Sequence, residues 1–307
     1  MDDDPEWLDR ERSERGDGDG WVACVCGRRH WGRYGAAGLL LSDPERSVLL
    51  QKRVSWSHHG GTWGLPGGAL HSTEAPRHGA LREACEEAGV PADAVEVTAE
   101  SVVDHGSWSY TTVLASCLGP VTPKVGDTES VELRWVAPDK VTGLPLHPSF
   151  AAAWPGLCGE LDRRLQLVVD AANVVGSRPD GWWRDRAGAT ARLRDRLAEL
   201  AAAGVSARDV GVPPDPPADE PGWRWWPRLT LVVEGRARGT VEVSGVRVVG
   251  AAADGDSAIV AVTEATLAAR PHDRVLAITA DRELRQRVRA VGASVLGPGT
   301  LLGLLES

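Results

Sequence analysis

Between Gly67 and Val90 the chain reads GGALHSTEAPRHGALREACEEAGV, and few structures fit that spacing. The run from about Ala75 to Ala88 predicts a helix, closed by Gly89 as its C-cap with Pro91 beyond. On that helix Glu83, Glu86 and Glu87 stand at i, i+3 and i+4 and so share one face. Like charges at this spacing cost a helix about 0.2–0.5 kcal/mol per pair. A bound divalent cation would explain them, and so would a solvated surface face. Glu74 precedes the helix, and Arg77 and Arg82 are the nearby permanent cations.

The flanking segments supply the context. GAAGLLLS and SVLLQKRV read as strands joined by the turn DPER, and VEVTAESVVDHGSW, SYTTVLASCLG and VELRWVA as three more. PSFAAAW predicts a short terminal helix, so residues 21–157 form a mixed α/β domain of ordinary size. After Pro155 the pattern changes. The apolar runs LQLVVDAANVV, LTLVVEG, VRVVGAAA, RVLAITAD and ASVLGPG alternate with helical stretches beginning at Arg186, Ser257 and Arg282. Such alternation implies a parallel sheet covered on both faces, here across residues 160–307. The segment GVPPDPPADEPG is read as a loop inside that second domain. The fold class is α/β in two domains.

Charge is unevenly placed. Residues 1–20 hold nine acids against three arginines, so an acidic, disordered tail is expected there. Five cysteines at irregular spacing do not make a disulfide framework. No apolar run approaches a membrane span, and the acidic start does not fit a signal peptide. A cytoplasmic, reduced protein is expected. CVCGRRH offers Cys24, Cys26 and His30, three soft ligands where structural zinc takes four.

From Gly68, five residues lead to Glu74 and seven more to Arg82-Glu83-Ala84-Cys85-Glu86-Glu87-Ala88-Gly89-Val90. Every fixed position of the Nudix box, G-x5-E-x7-R-E-U-x-E-E-x-G-U, is filled, where U is aliphatic. Residues 20–157 therefore resemble a Nudix hydrolase, an α/β/α sandwich. The resemblance implies Mg²⁺ or Mn²⁺ held by Glu83, Glu86 and Glu87, with the Gly68 carbonyl as a further ligand. Hard carboxylate oxygens suit those cations. It also implies that Arg82 orients Glu74 or Glu86, and that Ala84, Cys85 and Val90 lie in the core. Glu129 and Glu132 fall where some members place an extra general base. The implied substrate is a nucleoside diphosphate linked to another moiety. His58, His59, His105, Trp108 and Tyr110 flank the box; Trp108 and Tyr110 either stack on a nucleobase or are ordinary inward strand residues.

In the second domain acids end the strands: Asp170, Glu234, Asp254 with Asp256, and Asp281. Ligands of an open parallel sheet bind beyond its carboxyl ends, so these acids are expected at one edge. There is no GxGxxG after the first strand and no Walker lysine. VVDAANVVG (Asp170, Asn173), GDSAIV (Asp256) and ITADRELRQRV (Asp281) resemble PIN-like nucleases of the NYN branch. That resemblance implies a doubly wound, mainly parallel sheet with Mg²⁺ or Mn²⁺ held by Asp170, Asp254, Asp256 and Asp281 for RNA hydrolysis. Ser257 departs from the pattern, since paired acids often stand at that motif. Arg178, Arg184 and Arg186 around Trp182 and Trp183 either contact RNA or belong to a solvated helix. A competing reading makes the first pocket a nucleotide sensor controlling the second domain, and a third makes the second domain an RNA-binding or dimerisation module.

Overall fold

The computed structural model describes residues 16–178, 181–213 and 222–306. It divides into two compact units, one running up to Asp162 and the other built on residues 163–213 and from Trp223 onward.

In the first unit, β1 (Trp21–Ala23) and β2 (Arg29–Trp31) pair antiparallel as a separate ribbon. The main sheet is organised around β3 (Ala36–Ser42), which is buried along its whole length. It runs parallel to β8 (Ser109–Cys117) and antiparallel to β4 (Val48–Arg53) and β6 (Gly67–Ala69). β4 also carries β5 (Trp63–Gly64) and β9 (Ser130–Val136), and β7 (Val95–Asp104) pairs with β8. Over the β3–β6–β8 region lies α1 (Pro76–Ala88). Its Ala80, Ala84 and Ala88, spaced i, i+4, i+8, bury small side chains against Leu39, Leu41 and Val113. Gly89 at φ +65° ends the helix, and its N–H donates to the Cys85 carbonyl at 3.0 Å.

Three expectations are corrected here. Cys85 is exposed rather than core, because the next helix position after Ala84 turns about 100° away from the buried stripe. The terminal helix does not stop near Pro155. After the single turn α2 (Pro138–Val141), α3 runs from Pro148 to Gly159 with Pro155 inside it. Buried Phe150, Trp154, Leu157 and Leu161 keep a helical period across the proline, and packing overrides it. Finally, residues 16–20 are held in place: Arg33 and Gly32 donate to the carbonyls of Gly18 and Gly20 at 2.7 and 2.9 Å. A Cβ on Gly18 would collide with the Leu70 carbonyl, so glycine permits this approach. Residues 1–15 of the acidic segment, and all but the ends of GVPPDPPADEPG, lie outside the described residues.

The second unit is a five-stranded, all-parallel sheet of β10 (Leu165–Asp170), β13 (Arg228–Val233), β14 (Val246–Gly250), β15 (Arg274–Ile278) and β16 (Ser294–Leu296). The spatial order is β14-β13-β10-β15-β16. The winding direction thus reverses between β10 and β15, which opens a crevice at their carboxyl ends. A short antiparallel pair, β11 (Val205–Ser206) and β12 (Gly222–Trp225), precedes β13. The run LQLVVDAANVV proves to be two elements, since α4 (Ala171–Gly176) begins where Asp170 caps it by accepting from the Asn173 N–H. The helices α5 (Arg186–Ala203), α6 (Gly255–Ala269) and α7 (Arg282–Ala290) fall where the sequence puts them. The closing helix α8 (Pro298–Leu304) is an addition. Among the described residues no helix is long and apolar enough to cross a membrane.

Candidate functional site

The acidic face of α1 meets the β6 turn, and Arg82 organises it. Its Nε and one terminal nitrogen each contact an oxygen of Glu74 at 2.9 Å; the other terminal nitrogen reaches Glu83 at 2.8 Å and Glu86 at 3.2 Å. One guanidinium therefore positions three carboxylates and is further fixed by the Ala69 carbonyl at 3.1 Å. Arginine beside Glu74 holds its carboxyl below the usual range. Glu83 and Glu87 go the other way. Burial raises Glu83, and it pushes Glu87 up to about 8, with the Glu83 charge adding to the effect.

Glu87 is 6% exposed and accepts from the Gly67 N–H at 2.7 Å. A Cβ on Gly68 would sit 2.5 Å from a Glu83 oxygen, so glycine lets the β6 backbone lie against that carboxylate where it stands. Two carboxylates crowded and desolvated, a third nearby, and one shared arginine leave an excess of negative charge. Hard oxygens in surplus fit Mg²⁺ or Mn²⁺.

The flanking candidates separate. Tyr110 is half-buried, and burial and then the Glu87 charge raise its hydroxyl above the ordinary value. Trp108 is partly committed: its N–H donates to the Trp31 carbonyl at 3.0 Å, and its ring stacks on His30 at 4.1 Å. His105 joins that stack, whereas His58 and His59 gather with His147 at ring separations of 4.1 and 4.6 Å. Glu129 is exposed, and Glu132 pairs with Arg134 at 2.5 Å. The acid from that segment whose charge acts on Glu87 is instead Asp127, which also binds the Ser130 hydroxyl at 2.6 Å. Ser130 in turn accepts from buried Gln51 at 2.6 Å, and Gln51 acts to lower the Glu87 carboxyl against the effect of burial. Sequence reasoning missed this Gln51–Ser130–Asp127 support; its signal is the pairing of β4 with β9, not local spacing.

In the second unit, Asp170, Asn173, Glu234, Asp256 and Asp281 line one cavity of about 290 Å³ at the sheet's switch point. Asp254 is not among its lining residues. It is exposed and caps α6 through the Ser257 N–H at 2.7 Å, because a β-region residue just before a helix turns its carboxylate onto the first turn. Asp170 and Asp281 also cap, accepting from Asn173 and Leu284 at 3.0 and 2.8 Å, and Glu234 accepts from Gly255 at 2.9 Å. Asp256 has no such partner. Burial and the Asp281 charge raise its carboxyl; burial likewise raises Asp170, with Asp256 and Glu234 contributing. The Asn173 side chain ties the two central loops by accepting from the Ala280 N–H at 2.8 Å. Arg178 is paired with Glu306, Arg186 lies over the Trp182 ring at 4.9 Å, and Trp183 is exposed.

A glycine turn against an acidic helix, with one arginine holding the carboxylates, defines a Nudix domain. The NUDIX domain model matches residues 32–154. A Mycobacterium tuberculosis protein named "Putative 8-oxo-dGTP diphosphatase 3" is 54% identical over 176 residues, which cover 50% of this chain and 81% of that relative. The chain belongs to the Nudix family. A "Nucleoside triphosphate pyrophosphatase/Nudix hydrolase fusion protein" of Bifidobacterium longum is 46% identical over 153 residues, covering 47% of this chain and 32% of that protein. Among solved structures, the M. Smegmatis Nudix hydrolase RenU shares 51% identity, with a TM-score of 0.41, over 46% of this chain and 92% of its own.

Proposed function

We propose that the first unit is a Mg²⁺- or Mn²⁺-dependent nucleotide pyrophosphohydrolase acting on a purine nucleoside triphosphate with an oxidised base. The observation that carries the reaction class is the crowding of Glu83 against buried Glu87 on one helix face, where Arg82 binds Glu83 but does not reach Glu87. The substrate class rests on the name of the mycobacterial relative at 54% identity.

A divalent cation bound there would supply the missing positive charge and polarise diphosphate oxygens. The chain's own contribution is positional. Arg82 fixes Glu74, Glu83 and Glu86; Gly68 makes room for Glu83; the Gly67 N–H orients Glu87. A panel of 8-oxo-dGTP, dGTP, ADP-ribose and 5′-triphosphate RNA, with products separated chromatographically, tests this reading. Oxidised nucleotide converted to monophosphate and pyrophosphate ahead of the other substrates is expected. Equal or better turnover of ADP-ribose or RNA ends would contradict the substrate class.

A second activity is favoured by the acidic cavity at the switch point. Asp170, Asp256 and Asp281 are proposed to hold Mg²⁺ or Mn²⁺ for hydrolysis of single-stranded RNA, in a PIN-like, NYN-type domain over residues 160–307. Asp256, partnered by no helix N–H and repelled by Asp281, is the residue that capping alone leaves unexplained. Mn²⁺-dependent cleavage of single-stranded RNA by the full chain tests it, and tight RNA binding without cleavage would make the unit a binding module instead.

A further inference from the structure

Both sites above rest on hard carboxylates. At the other end of the first unit's chemistry stands a soft donor group on the β1–β2 ribbon, which neither reading uses. Val22 pairs with His30 in this ribbon, so Cys24, two residues beyond Val22, faces the same side as His30. The turn then folds back: Cys24 N–H donates to the Arg28 carbonyl at 2.9 Å, and Gly27, at φ +80°, donates to the Cys24 carbonyl at 3.0 Å. That reversal carries Cys26 onto the same side, where its sulfur lies 3.2 Å from His30 Nε2. The ligand atoms of Cys24, Cys26 and His30 all lie within 4.8 Å of one another.

We propose that Cys24, Cys26 and His30 form a Zn²⁺ site that staples the β1–β2 ribbon, with solvent at the fourth position. Zn–S and Zn–N bonds of about 2.3 and 2.0 Å place tetrahedral ligand atoms roughly 3.5 Å apart, and here Cys26 Sγ stands 3.2 Å from His30 Nε2 with the remaining separations within 4.8 Å. Thiolates and imidazole select zinc over the Mg²⁺ suited to the α1 face. The surroundings orient the donors as a metal site requires. The Ser107 hydroxyl donates to Cys24 Sγ at 3.4 Å. The His30 ring stacks on Trp108 at 4.1 Å and 11°, and on His105 at 5.1 Å and 18°. Zinc also answers a stability problem. A ribbon of two three-residue strands is marginal by itself in water, and metal binding contributes directly to its folding. Exposed Cys26 leaves one coordination position open to water.

The test uses the full chain, stripped with a chelator and reloaded with Zn²⁺ or Co²⁺. One thiolate-bound metal per chain is expected beside any held by the carboxylates, and Co²⁺ there should show thiolate-to-cobalt charge transfer with the visible bands of a tetrahedral site. Zn²⁺ should protect Cys24 and Cys26 from alkylation, read by peptide mapping, while exposed Cys85 reacts freely as an internal control. That measurement needs no variant. Cys26→Ser should abolish the charge-transfer band, and Ser107→Ala should weaken zinc binding roughly tenfold. A His58→Ala/His59→Ala variant should leave the band intact, separating the site from the His58–His59–His147 cluster, whose ligand atoms are equally close. Absence of charge transfer in the wild-type Co²⁺ spectrum would overturn the proposal. So would Cys24 and Cys26 alkylating as fast as Cys85 in the presence of Zn²⁺.

Discussion

Glu87 shows how one residue couples packing to chemistry. Its folded carboxyl is pushed up to about 8 by burial and by Glu83, so the folded state holds its proton more tightly than the unfolded chain. This group's stabilisation of the metal-free protein is complete below the ordinary carboxylate range and is lost as pH rises towards 8. Glu87→Gln should flatten that decline, which thermal melts of metal-free protein across this range would show. Cation binding competes with the same proton, so Mg²⁺ affinity should rise with pH up to about 8 and binding should release protons. Calorimetry in buffers of different ionisation enthalpy checks the release. Gly68→Ala acts on the neighbouring carboxylate: its Cβ would lie 2.5 Å from Glu83 Oε1. A side chain rather than backbone must yield, so stability should change by less than about 1.5 kcal/mol. Turnover should nevertheless fall, because Glu83 leaves its place beside Arg82; unchanged kcat would show that Glu83 tolerates the displacement.

Elements that end in a strong local signal were legible, and those decided by distant packing were not. Helix α1 could be read from Glu83, Glu86 and Glu87 together with Gly89, all within one segment. The exposure of Cys85 was missed: the motif leaves that position unspecified, and only the 100° step on from buried Ala84 turns it outward. Helix α3 passes through Pro155 because Trp154 and Leu157 are buried on either side of it, a tertiary outcome. The Gln51–Ser130–Asp127 support behind Glu87 depends on β4 meeting β9, far apart in sequence. In the second unit the strand-end acids were visible as a pattern, but their capping was not. Asp281 tests which role dominates in α7. Asparagine caps nearly as well as aspartate, so Asp281→Asn should leave the melting temperature unchanged, whereas Asp281→Ala should cost about 1 kcal/mol. If the cavity holds a cation, Asp281→Asn alone should abolish Mn²⁺-dependent RNA cleavage. An active Asp281→Asn variant would reduce Asp281 to a helix cap.

At the scale of the chain, the α1 site draws all its residues from the first unit, and the acidic cavity draws all of its own from the second. The first unit extends past α3: Leu161 is buried, and Asp162 accepts from the Ser116 hydroxyl at 3.2 Å. A fragment of residues 1–162 should therefore retain the nucleotide turnover of the full chain, measured as kcat/KM. A soluble, folded but inactive fragment would mean that residues beyond Asp162 complete the first site. The account stands most directly on the carboxylates of α1. Turnover of the preferred nucleotide at saturating Mg²⁺ should be compared between wild type and a Glu86→Gln/Glu87→Gln variant, with circular dichroism confirming the fold. Removing both charges while keeping side-chain volume should lower kcat by more than about a hundredfold with the spectrum unchanged. A folded variant within a few-fold of wild type would contradict the assignment of this helix face as the catalytic centre.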